Sequence, residues 1–128
     1  IAEKDASGNW KVLDDRAELT RLGEGLQATG VLKPEAMERT VEALKKFVEL
    51  AKSHNVEQIV AVGTMALRVA KNAPEFIEKV KEVCGLIIEV IDGKEEARLS
   101  YLAVKSGLGL AHGKLVIFDV GGGSTEFI

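Results

Sequence analysis

Cysteine occurs once, at Cys84, so no internal disulfide can form and the chain fits a reducing compartment, which points to the cytoplasm. An excess of positive charge is absent as well. A net charge of -3 gives no general attraction to nucleic acid or to an anionic membrane, so any phosphate site has to be built locally. No apolar run approaches the length that spans a bilayer, and no internal repeat or low-complexity tract occurs. Proline is scarce, and both residues, Pro34 and Pro74, stand where a helix would open. What is there is ordinary globular composition, 46% apolar and 29% charged. A length of 128 residues suits one domain with its own core. The opening "IAEKD" reads as the tail of a strand and the closing "STEFI" as the middle of another, so a piece of a longer chain is expected.

Turn residues Ser7-Gly8-Asn9 predict a hairpin over "KDASGNWKVL", and "RLGEGLQATG" reads as a glycine-punctuated loop. From Pro34, the stripe Met37, Val41, Leu44, Val48 and Ala51 predicts an amphipathic helix ending near Ser53–Asn55, with that stripe buried. Glu35–Arg39 and Glu42–Lys46 are i,i+4 pairs in the favourable order. "EQIVAVGT", "LIIEVI" and "KLVIFDV" are short apolar runs that predict buried strands, largely parallel. Between them "MALRVAKN", the segment from Pro74 to Gly85, and "GKEEARLSYLAVKSG" predict helices, and "STEFI" predicts a further strand. The alternation specifies an α/β fold with a mainly parallel sheet flanked by helices. His54 and His112 read as surface residues, Cys84 and Met65 as packing.

Chemistry can sit in a few places. In "DVGGGSTEF" three glycines, Gly121, Gly122 and Gly123, lie between two strands and ahead of Ser124 and Thr125. No lysine follows, so this is not a P-loop, and no helix opens there, so it is not a dinucleotide turn. Glycine permits positive φ and clears side chains from the path of an oxygen, so backbone N–H groups can approach an anion. The two hydroxyls add donors, and Asp119 can hold a metal or orient a water. A plain tight hairpin would use the same residues. In "DGKEEAR", Glu95 and Glu96 open a helix at a strand end. There they stabilise the helix dipole, or one of them takes a proton from an attacking water in the crevice that strand ends face. Arg68 in "GTMALR" and Arg21 in "RLGEGL" are forks for phosphate oxygens or solvated surface arginines.

Together "RLGEGL", "GTMALRVAKN", "IDGKEEARLSYLAV" and "FDVGGGSTEF", in this order, resemble the exopolyphosphatase/guanosine pentaphosphate phosphohydrolase (Ppx/GppA phosphatase) family. The resemblance spans Arg21 to Phe127. It implies the actin-like, sugar-kinase and heat-shock ATPase fold, with two ribonuclease H-like domains facing across a cleft. Residues 1–109 then correspond to most of the first domain, and residues 114–128 to the first hairpin of the second. By the same likeness "DVGGGSTE" is the second domain's phosphate loop, Glu96 is the general base and Arg68 contacts phosphate. Asp119 and Glu126 match acids near the water and a magnesium ion. The family's first phosphate loop, Asp-x-Gly-[Ser/Thr]-Asn-[Ser/Thr], has no counterpart in these residues and would belong before Ile1.

The implied activity is removal of a terminal phosphoryl group from inorganic polyphosphate or guanosine pentaphosphate, by a whole protein that is a homodimer, with the isolated fragment inactive. Such a reaction needs charge neutralisation and an in-line water. A small-molecule kinase of the same superfamily and a non-catalytic sensor binding the alarmone or polyphosphate are the alternatives. Nucleic acid and membrane are not expected partners.

Overall fold

The computed structural model describes residues 1–109, 114–121 and 125–128, the side chain of Glu126 excepted. The connector at 110–113, with His112, and Gly122, Gly123 and Ser124 of the glycine turn lie outside the described residues.

Strands β1 (Ala2–Lys4) and β2 (Trp10–Val12) form the expected antiparallel hairpin, with Gly8 at φ +84° in its turn. Asp5 closes that turn by accepting the N–H groups of Ser7 and Asn9 at 2.8 and 2.9 Å. The segment read as a glycine loop holds a short helix, α1 (Leu26–Thr29), because Gly25 and Gly30 take left-handed φ at its two ends. Its Leu26 is buried in the core.

Helix α2 (Pro34–Ser53) starts at Pro34, where a missing N–H is harmless, as its sequence predicts. Met37, Val41, Val48 and Ala51 are buried, whereas Leu44 is only half-buried and lines an open apolar groove. Neither expected i,i+4 pair forms among the described residues. Arg39 reaches across to a tertiary partner, Glu24, and Glu42 pairs with Lys45, its i+3 neighbour on the same helix face. Helix α4 (Ala73–Cys84) packs on α2, and Phe76 and Val80 join Met37, Val41 and Val48 in one core cluster. Gly85 ends α4 in the left-handed conformation. Cys84 is half-buried, and that burial pushes its thiol pKa up, in keeping with a packing role.

Strands β3 (Ala61–Gly63) and β4 (Ile88–Val90) pair in parallel, with helix α3 (Met65–Val69) and α4 making the crossover. This α/β unit is the class that the alternation of patterns predicts. The strands are shorter and less covered than expected. β3 pairs on one side only among the described residues, so Val60 remains 70% and Val62 51% exposed. After β4 comes helix α5 (Gly93–Gly107). The run "KLVIFDV" does not extend the parallel pair. Its end forms β5 (Phe118–Val120), antiparallel to β6 (Thr125–Phe127), and of its apolar side chains Ile117 alone is buried. Among the described residues the strands thus form three separate two-stranded sheets, one parallel pair and two antiparallel hairpins. Among the described residues no helix is long and apolar enough to cross a membrane.

Candidate active site

Parallel pairing puts the carboxyl ends of β3 and β4 on one edge, the edge where open α/β sheets hold ligands. Two helices leave from that edge. β3 ends at Gly63, Thr64 caps α3, and Arg68 lies on α3's last turn. β4 ends at Val90, Asp92 caps α5, and Glu95 and Glu96 lie in α5's first turn. The Asp92 carboxylate accepts the N–H of Glu95 at 2.8 Å, which satisfies a helix-end donor and fixes the direction of that turn.

The two adjacent acids then part company. Glu95 turns outward and takes a two-pronged contact from Arg98, at 2.7 and 2.8 Å. That hydrogen bond, with the Arg98 charge behind it, holds the Glu95 carboxyl below the usual range. Glu96 turns inward to Arg68. The Arg68 guanidinium, through Nη1, donates to Glu96 Oε2 at 2.8 Å and to the Ile91 carbonyl at 2.8 Å. The two side chains are 23% and 17% exposed, so the pair is shielded yet open to a solute. Sequence patterning leaves the two acids equivalent, and the fold tells them apart.

Glycine is structurally required at Gly63, where a Cβ would lie 2.5 Å from Leu67 and 3.2 Å from Ile88. This close approach lets α3 turn tightly off its strand and bring Arg68 back over Ile91. The "RLGEGL" motif packs beside the same helix: a Cβ on Gly23 would lie 3.6 Å from Ala66. Asn72 ties the two regions, its amide accepting from the Leu32 N–H at 2.7 Å and donating to the Leu32 carbonyl at 3.0 Å. Arg21 itself is exposed, at φ +52°, and is not drawn to Glu96. Its charge acts instead on Glu24, whose carboxyl is held below the usual range by the Lys33 hydrogen bond first, then by Lys33, Arg39 and Arg21 as neighbouring cations.

The glycine turn reaches the site through its strands. Cα register sets Asp119 opposite Glu126 and Val120 opposite Thr125, and Phe118 meets Phe127 edge to face at 5.1 Å. Gly121 and Thr125, the two described ends of the turn, are exposed. Asp119 is half-buried and accepts a hydrogen bond from Ser100 of α5. Ser100 follows Glu96 by four residues, so the two share a helix face one turn apart. The hairpin is thereby docked beside the Arg68–Glu96 pair. Ser100 carries no signal in the sequence beyond that i+4 spacing, and Asn72 none beyond its place in "RVAKN".

Magnesium prefers hard oxygen ligands and is commonly bound by one or two carboxylates, with water and substrate phosphate completing its shell. Asp119, a half-buried carboxylate at the strand end beside the glycine turn, fits that chemistry. Glu126 stands opposite it in register, with its side chain outside the described residues. Among the described residues no group of three His, Cys, Asp or Glu is gathered for a metal.

The chain is similar to several proteins of known structure. A member of the Ppx/GppA protein family from Aquifex aeolicus is 40% identical, with a TM-score of 0.84, over 98% of this chain and 40% of its own. An exopolyphosphatase from Cytophaga hutchinsonii is 31% identical, with a TM-score of 0.93, over 99% of this chain and 40% of its own. An exopolyphosphatase-like protein is 33% identical, with a TM-score of 0.88, over 98% and 39%. The chain thus spans about 40% of the length of the solved structures it matches. The model of the Ppx/GppA phosphatase family matches residues 1–128. By sequence and by fold, the chain belongs to the Ppx/GppA phosphatase family and carries part of its actin-like ATPase fold.

Proposed function

We propose that this chain is part of a hydrolase that removes the terminal phosphoryl group from inorganic polyphosphate or guanosine pentaphosphate. The observation that carries the reading is the Arg68–Glu96 pair at the carboxyl ends of β3 and β4, with Asp119 bonded to Ser100, one helical turn from Glu96. In the reaction a water oxygen bonds to the terminal phosphorus as the bridging P–O bond breaks, and Glu96 accepts the water's proton. The leaving phosphate carries away the bridging electron pair. Arg68 supports two of these requirements. Its charge attracts phosphoryl oxygens, and as it turns to them it releases Glu96 to act as a base. Donors of the glycine turn, Gly121 to Gly123 with Ser124 and Thr125, would hold the phosphoryl oxygens. Asp119 and Glu126 would hold a magnesium ion, which when bound neutralises charge on the polyanion.

A hydrolase is favoured over a kinase because a carboxylate that can accept a water proton, once Arg68 turns to phosphate, stands beside that arginine, and kinase chemistry needs an acceptor hydroxyl. The test follows free phosphate released by the whole protein from polyphosphate and from guanosine pentaphosphate, with magnesium present. A parallel arm supplies ATP with candidate hydroxyl acceptors. Release from either polyanion is expected. Phosphate transfer to an acceptor with no release to water would overturn the reading.

A further inference from the structure

We infer that Ser100 is a positioning residue that sets the glycine hairpin against the general base, an inference that rests on the hydrolytic reading above. A serine inside a helix ordinarily turns its hydroxyl back to the carbonyl four residues earlier. The hydroxyl of Ser100 instead leaves its helix and donates to Asp119 Oδ2, nineteen residues further on. Both residues are half-buried, and a hydroxyl given to a carboxylate is a charge-assisted bond that holds the acceptor in one orientation. Among the described residues Ile117, just before β5, is also buried on the face that Asp119 shares, and the opposite face is open. Phe118 is 62%, Val120 75% and Phe127 71% exposed, and α5 buries none of its side chains fully. Ser100 also lies on the face that Glu96 occupies one turn earlier. The bond therefore ties β5, the strand that leads into the glycine turn, to the helix face that carries Glu96. Phosphoryl transfer depends on such placement, and a misplacement of about 1 Å can lower a rate by about a hundredfold.

The test is made on the whole protein with Ser100→Ala, Ser100→Thr, Asp119→Asn and the Ser100→Ala/Asp119→Asn pair. Ser100→Ala is expected to lower kcat on polyphosphate by about tenfold or more while KM moves by less than about threefold. Ser100→Thr keeps the hydroxyl and should recover most of kcat, which a loss of general stability would not explain. Asparagine keeps an acceptor oxygen but loses the charge that strengthens the bond, so Ser100→Ala should cost less in the Asp119→Asn background than in the original protein. Independently of activity, amide hydrogen exchange across Phe118–Val120 and Thr125–Phe127 should quicken in Ser100→Ala and not in Ser100→Thr. A Ser100→Ala protein with kcat within about twofold of the original, or effects that multiply in the double variant, overturns the inference. If the unaltered protein releases no phosphate, the hydrolytic reading fails. The exchange comparison then judges the tie alone, and unchanged protection in Ser100→Ala overturns it.

Discussion

Glu95 and Glu96 are neighbours of one chemical kind, and the fold gives them opposite tasks. Glu95 is held at the surface by Arg98 in a two-pronged contact that stabilises its charged form, which makes it a poor proton acceptor. Glu96 faces Arg68, inside the strand-end crevice. Glu96→Gln in the whole protein is expected to lower kcat by about two to four orders of magnitude, the range for losing a general base, with KM little changed. Glu95→Gln should leave kcat within about threefold, and steady-state kinetics on polyphosphate checks both. A reversed pattern would move the base to Glu95. Arg68 offers a second contrast. Lysine keeps the charge, but its point-like ammonium cannot reproduce a fork that spans the Ile91 carbonyl, the Glu96 carboxylate and an incoming phosphate. Arg68→Lys is expected to lower kcat/KM by about tenfold or more, and a variant that works as well as the original would show that charge alone suffices.

At the scale of elements, the site depends on two strand-to-helix junctions. One is Gly63, where β3 passes within side-chain contact of Leu67 and Ile88. Leu67 belongs to the buried core, so its methyl has little room to yield. Gly63→Ala is expected to destabilise the fold by about 1–3 kcal/mol, the usual range for overpacking. It should also raise KM, since the displaced α3 carries Arg68. Denaturant unfolding with parallel kinetics measures both, and unchanged stability would mean that Leu67 repacks freely. The other junction is the Asp92 cap on α5, which orients the turn that bears both glutamates.

At the scale of the whole molecule, the described edges are open. β3 pairs on one side only, and the face of the β5–β6 hairpin that carries Phe118, Val120, Thr125 and Phe127 is exposed among the described residues. The chain spans about 40% of the length of the solved structures it matches. Produced by themselves, the 128 residues are expected to release no measurable phosphate from polyphosphate, because phosphoryl transfer depends on placement and these residues span only about 40% of the length of the matched structures. A phosphate-release assay beside the whole protein decides it. Turnover by the 128 residues within about tenfold of the whole protein would show that the glycine hairpin and Glu96 suffice.

The sequence alone determined what local pattern and local chemistry control. Pro34 and the stripe from Met37 place α2, Gly85 stops α4, Ser7-Gly8-Asn9 makes the first turn, and the four motifs identify the family. These follow from steric limits on single residues and from a period of 3.6, which need no distant partner. The tertiary structure decided whatever depends on residues far apart in the chain. "KLVIFDV" has the composition of a buried strand, and only its pairing with β6 shows that its apolar side chains stay largely uncovered among the described residues. The glycines of "RLGEGLQATG" bound a helix because Leu26 finds the core. Arg39 leaves its expected partner Glu35 for Glu24, since an exposed helical pair is worth only a few tenths of a kcal/mol, roughly, and yields to a tertiary partner within reach. The family resemblance singles out Glu96, and the tertiary structure adds the contacts of the two acids, Glu96 with Arg68 and Glu95 with Arg98, and the bond from Ser100 to Asp119. Side-chain direction is set by what a folded chain brings within about 3 Å, and that is not written in the spacing of neighbouring residues.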